Sequence, residues 1–414
     1  MKDNPPAAGS PAGRIVSIDA VRGLVMFTMI FVNDIAGVSH QVVPEWMRHF
    51  KGKSGMTFVD EVFPAFLFIV GMSIPFALRG RLERGEQWWK IALHILARTA
   101  SLMLIGILMV NTEYGIHIQG WPKELWPALM FLCAILAFSS IAPPISKQKL
   151  MWRTASRSIR ILGFAGLIIL ALVFRGEHGE RIIAFSPFGI RTYWYGILGL
   201  IAWAYLVGAI VYLTFRGNVT ALLACAALLL CLYPAGQSGL FKGSLLSQFV
   251  DIDTMLGSLP SITVSGILLA SVLIERPVLG RRIGFSLLFI GGYVMAGWLV
   301  LDLYGVNKNL ATPTWCLWSC AITAAVWLPL HFLSAFGSIH PVAKVMARAG
   351  QNVILAYLIS EMVPSFLGLT GTDEWYSGLA EHGLRSAILR SGTLAALILT
   401  VTAGLNKAGL RLRL

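Results

Sequence analysis

The stretch EWMRHFKGKSGMTFVDEVFPAFLFIVG, residues 45–71, decides the fold. Its second half opens an apolar run that continues without a charge through Leu78, and about 20 such residues in a helix cross a hydrocarbon core. Its first half is a polar loop with Arg48, His49, Lys51, Lys53 and two glycines, set directly against that run. A plain surface loop has no need of a histidine at such a boundary.

The same alternation of apolar run and charged loop recurs along the chain. Of the 414 residues 56% are hydrophobic and only 13% charged, where soluble domains carry about 25%. The composition therefore implies an integral membrane protein, all-α because the runs are too long for barrel strands. Apolar runs place about twelve helices near 15–37, 58–78, 91–110, 125–142, 159–174, 192–214, 219–233, 257–274, 284–303, 313–334, 351–369 and 386–404. The seventh is short for a full crossing. Residues 1–13, polar with Pro and Gly, read as a disordered cytoplasmic tail, and 14–414 as one transmembrane domain with membrane lipid as its solvent. Residues 234–256 form the longest outer loop.

The net charge of +13 does not point to nucleic acid, because the basic residues sit in short loops between apolar runs. With both termini inside, segments such as 79–90 (RGRLERGEQWWK) give the inner side about twice the Lys and Arg of the outer side. That bias supports an N-in, C-in topology and turns the His49 loop outward. Cys133, Cys225, Cys231, Cys316 and Cys320 lie in or beside apolar runs with no CxxC and no histidine spacing, and read as buried packing residues rather than a metal site.

Ionisable residues inside spans are costly and mark functional sites by default. Asp19 and Arg22 are three apart on the first helix, either a structural pair or a place where guanidinium meets phosphate. Arg98 on the third helix either snorkels or binds an anion. Thr57 with Asp60 and Glu61 reads as a helix start, and Asp60 is also close enough in sequence to orient His49. Asp302 and Glu361 fall in outer halves of their helices.

Five motifs occur in order. SIDAVRGLVMFTMIFVND (17–34) is followed by RHFKGKSGMTFVDEVFPAFLFIVGMS (48–73), GSLPSI (257–262), GVNKNL (305–310) and GQNVILAYL (350–358). Together they resemble the transmembrane heparan-α-glucosaminide N-acetyltransferase family and its bacterial relatives. The resemblance implies an acetyltransferase that moves acetyl from cytosolic acetyl-CoA to an amino sugar across a bacterial inner membrane. It also implies a homodimer, and no metal. Residue by residue, Asn33 matches the family's active-site Asn and His49 its active-site His, with His40 a lesser candidate because the spacing here is longer. Asp60, Asn307, Lys308 and Asn309 fall on the acceptor side of that reading. Asp19, Arg22, Arg98 and Asn352 fall on the acetyl-CoA side. His49 would act as general base or accept the acetyl as nucleophile, and Asn33 would stabilise the oxyanion. O-acetylation of a surface glycan is the rival within the enzyme class, and a secondary transporter the rival outside it.

Overall fold

A computed structural model describes residues 16–113, 116–141, 149–185, 188–190, 194–275, 278–335 and 341–413. The expected tail, residues 1–13, lies outside them. The chain is a helical bundle: α1 (Val16–Ile35), α2 (Phe58–Glu83), α3 (Trp88–Glu113), α4 (Leu125–Phe138), α5 (Lys149–Val173), α6 (Gly196–Phe215) and α7 (Val219–Gln237). There follow α8 (Leu259–Glu275), α9 (Leu279–Tyr304), α10 (Pro313–Ala335), α11 (Pro341–Ala349), α12 (Val353–Thr370), α13 (Asp373–Gly378) and α14 (Leu384–Lys407). Among the described residues, ten helices are long and apolar enough to cross a membrane. With α1 and the shorter apolar α4, they correspond to the twelve runs read from the sequence. The protein is a multi-pass membrane protein.

The centre is α8, buried on every side from Leu259 to Leu273, as expected of a helix with no polar face. It lies against α2 with almost no side chain between them. A Cβ on Gly71 would stand 2.0 Å from the Thr263 carbonyl oxygen, and one on Gly266 2.1 Å from that of Phe68. Small residues at both crossing points let the backbones approach, as in tightly packed membrane helices. The pairs α3–α6, α4–α5 and α9–α10 pack around this core, while α1 sits against α2, α11 and α14.

Several boundaries differ from the sequence expectation. Helix α5 begins at Lys149 rather than near 159, because the polar turn RTASRS carries no helix breaker. Helix α7 runs 19 residues to Gln237, so the seventh run is a full span, with Pro234 tolerated in its last turns. Helices α11 and α13 are nine and six residues, too short and polar for an apolar window to reveal. Two strands, β1 (Ser139–Ile141) and β4 (Leu410–Leu412), pair antiparallel near the start of α12, and β2 (Ile183–Phe185) pairs antiparallel with β3 (Phe188–Ile190). All five cysteines are free thiols. Cys316 and Cys320 are buried as expected, but Cys231 is exposed on the outer face of α7.

Candidate active site

The loop before α2 is held by its own buried arginine. Arg48 donates to the carbonyls of Val38 (2.7 Å) and Val43 (3.2 Å), and lies 3.4 Å from Nε2 of His40. Its guanidinium is therefore committed to these carbonyls rather than to His49. The Thr57 hydroxyl donates to the Arg48 carbonyl at 2.6 Å. These bonds present His49 at the start of α2, half-exposed.

Asp60 serves two purposes at once. Oδ2 accepts the backbone N–H groups of Thr57 and Phe50, both at 3.1 Å, which closes a capping box at the start of α2. Oδ1 meets Nδ1 of His49 at 2.8 Å, while the carboxylate itself is only 2% exposed. A buried carboxylate with three partners is a rigid orienter for an imidazole. Asp60 thus caps α2 and also contacts the His49 ring. His40 is exposed and has no carboxylate partner among the described residues.

The loop between α9 and α10 docks onto the His49 loop. Gly55 N–H donates to the Val306 carbonyl (2.8 Å), Val306 N–H to Ser54 Oγ (3.0 Å), and the Asn307 amide to the Lys53 carbonyl (3.3 Å). Asn307 also accepts from Leu310 N–H (3.1 Å), so its amide is spent on shaping this loop. Lys308 projects inward, with Nζ 3.1 Å from Nδ1 of His49 and 3.9 Å from Asp60. Burial lowers the Lys308 pKa from the ordinary lysine value, against the opposing pull of Asp60. Asn309 is exposed, with no hydrogen bond to other described residues.

Asn33, in the last turn of α1, is also exposed. Its Nδ2 donates to Oε1 of Glu361 on α12 at 3.2 Å. No hydrogen bond joins Asn33 to His49 among the described residues. The next residue fixes the backbone: the Asp34 carboxylate accepts from Arg390 (3.0 Å), Ser391 (2.6 Å) and Tyr376 (2.8 Å). This clamp ties α1 to α13 and α14, and nothing in the sequence around residue 34 announces it. Asp302, grouped with Glu361 on the sequence, is instead exposed on α9.

At the opposite end of the bundle lies a cavity of about 610 Å³, within the range typical of ligand sites. Asp19, Arg22, Arg98 and Asn352 all line it. They are not equivalent. Arg22 is committed to protein, donating to Asp19 (3.0 Å), to the Gly350 carbonyl (3.0 Å) and to the Ser73 hydroxyl. A Cβ on Gly350 would stand 2.0 Å from the Asp19 carbonyl oxygen, so glycine lets α11 close onto α1 here. The Asn352 amide is likewise spent, donating to the Leu410 carbonyl and accepting Leu412 N–H, both at 3.1 Å. It pins β4 as a wall of the cavity. Arg98 differs. Its guanidinium rests on the Tyr205 ring at 4.8 Å, and its Nε is buried with no hydrogen-bond partner among the described residues. That is a cation with donor capacity to spare. Arg413, at the end of β4, also lines the cavity and was not singled out on the sequence. No segment pattern marks it.

An apolar neck adjoins this cavity. A narrow space of about 10 Å³ between Met26, Met29, Phe66 and Tyr357 shares Phe66, Leu198 and Val353 with the cavity wall. Residues 19, 22, 26, 29 and 33 fall three and four apart, on one face of α1. That face thus runs from the cavity, past the neck, to Asn33. Groups of three or more His, Cys, Asp or Glu able to hold a metal are absent among the described residues.

The chain is similar to known sequences in two ways. A family model described as "Domain of unknown function (DUF5009)" matches residues 14–237. The heparan-alpha-glucosaminide N-acetyltransferase of Mus musculus is 32% identical over 141 residues, covering 32% of this chain and 21% of the mouse protein. The Homo sapiens protein of the same name is 32% identical over 117 residues, covering 28% of this chain and 17% of that protein. The chain thus spans about a fifth of the length of these relatives. The N-terminal match includes the His49 loop and more than half of the residues, so the chain belongs to the DUF5009 family and is a sequence relative of the heparan-alpha-glucosaminide N-acetyltransferases.

Proposed function

We propose that this chain is a transmembrane acetyltransferase, carrying acetyl from acetyl-CoA on the inner side of a bacterial inner membrane to the amine of an amino sugar on the outer side. One observation carries the reading: two polar sites of complementary chemistry lie at opposite ends of the same helices. Asp60 and Ser73 are thirteen residues apart on α2, or about 20 Å. The anionic nucleotide stays in the inner cavity, where Arg98 offers an unspent guanidinium. Its long arm carries the thioester through the apolar neck toward Asn33.

The chemistry at the outer end follows from the two named groups. Nδ1 of His49 faces Asp60 and Lys308, which leaves Nε2 to take a proton from the acceptor's ammonium group. The freed amine nitrogen attacks the thioester carbonyl carbon and forms the N–C bond. Asn33 retains one amide N–H beyond the one given to Glu361, and it stabilises the oxyanion of the tetrahedral state. The C–S bond then breaks as the nitrogen gives up its surplus proton, and the departing thiolate takes up that proton. A homodimer comes with this reading as the family expectation.

Purified protein incubated with labelled acetyl-CoA and a panel of amino sugars, beside the same sugars bearing hydroxyl in place of amine, tests the reaction class. N-acetyl products are expected; products only with hydroxyl acceptors, or none, would remove the reading. Donor binding is separately testable. Arg98→Ala is expected to weaken acetyl-CoA binding by about tenfold or more in calorimetry, since a hydrogen bond to a charged group is worth about 1.5–3 kcal/mol. Unchanged affinity would make Arg98 a stem that merely snorkels. Orientation is tested by single cysteines. One at Lys51 should react with an impermeant thiol reagent from outside, and one at Lys90, exposed at the other end of the bundle, should not. The opposite labelling would invert the topology.

A further inference from the structure

His49 Nδ1 has two suitors and capacity for one. Asp60 Oδ1 stands 2.8 Å from it and Lys308 Nζ 3.1 Å. A carboxylate requires Nδ1 to carry the proton, whereas an ammonium requires Nδ1 to offer its lone pair. The two bonds are mutually exclusive, and they demand opposite tautomers. With Asp60 the ring is Nδ1–H, and Nε2 is free to accept a proton. With Lys308 the ring is Nε2–H and cannot act as a base at that atom.

We propose that Lys308 is a positioning residue that contests Nδ1 of His49 with Asp60, dividing the ring between a resting and an active tautomer. The loop architecture supports this. The segment that carries Lys308 is bonded to the His49 loop at three backbone or side-chain points, so the ammonium is delivered rather than wandering. Among the other charged groups, Arg48 is turned onto the Val38 and Val43 carbonyls, while Lys51 and Lys53 are exposed. Among the described residues, Lys308 is therefore the cation that faces the ring, and Asp60 the anion.

Removing the Lys308 ammonium leaves Asp60 alone on Nδ1, so the ring settles in the Nδ1–H tautomer. The inference rests on His49 being the base of the proposed reaction, so it is read in two ways. In the full chain in detergent, nitrogen-15 NMR of labelled histidine, with the His49 signals assigned from their loss in His49→Ala, reports the tautomer without turnover. Wild type is expected to show a mixture at Nδ1. Lys308→Met should show the Nδ1–H form alone, and Lys308→Arg should stay near wild type. In acetyl transfer, Lys308→Met should keep or raise kcat/KM, because the proton-accepting tautomer is then the whole population. A pure Nδ1–H ring in wild type would overturn the proposal even where Lys308→Met fails to fold. So would a Lys308→Met ring that keeps the wild-type mixture, or a lowered kcat/KM, the marks of a merely structural contact. If wild type transfers no acetyl group, the proposed function fails while the tautomer measurement still decides Lys308.

Discussion

His49→Ala is expected to lower acetyl transfer by about 10²–10⁴-fold, the usual contribution of a positioned acid or base, with acetyl-CoA affinity and detergent stability near wild type. The geometry separates these quantities. The proposed donor cavity lies at the other end of α2, so its lining is untouched. The ring is half-exposed, so its loss opens no core cavity. Asp60 keeps the Thr57 and Phe50 N–H groups, and Lys308 stands 3.9 Å away to neutralise it, so the helix start survives. His40→Ala is the proper control, because His40 shares the loop but has only Arg48 beside it. Should His49→Ala keep more than about a tenth of the activity while His40→Ala loses it, the base has been assigned to the wrong histidine.

Asn33→Ala is expected to cost about 10²–10³-fold in kcat, the usual loss for one oxyanion donor. KM for either substrate should change little, since the interaction strengthens only as charge develops on the carbonyl oxygen. The helix end should hold, because the backbone there is fixed by Asp34 through Arg390, Ser391 and Tyr376 rather than by Asn33. A loss confined to KM would instead assign Asn33 to acceptor binding.

The membrane bundle was legible because lipid imposes a length and composition on each span. Ten described helices meet that standard, and α11 and α13 escaped it because helices of nine and six residues satisfy no such constraint. The pairing of Asp60 with His49 was legible for a local reason: eleven residues of loop and one helix turn bring them together. Lys308 is 259 residues from His49, and no spacing rule reaches that far. It was placed on the acceptor side, and its ammonium stands beside the His49 ring. Arg22 and Arg98 looked alike in sequence as cations inside spans. Only the partners separate them, for Arg22 is spent on Asp19, Ser73 and the Gly350 carbonyl while Arg98 keeps a buried Nε unused. Asn352 was marked by its motif, but its amide is what fastens β4 to the start of α12. A motif residue can be indispensable to a cavity by building its wall.

Transfer across the membrane is tested most directly in sealed proteoliposomes whose orientation has been fixed by the cysteine labels. Labelled acetyl-CoA is supplied only on the Arg98 side, and an amino sugar only on the His49 side. The account predicts N-acetylated sugar on the His49 side, with free CoA thiol remaining on the Arg98 side. Product formed only when both substrates share one side, or unmodified sugar accumulating across the bilayer, would contradict it.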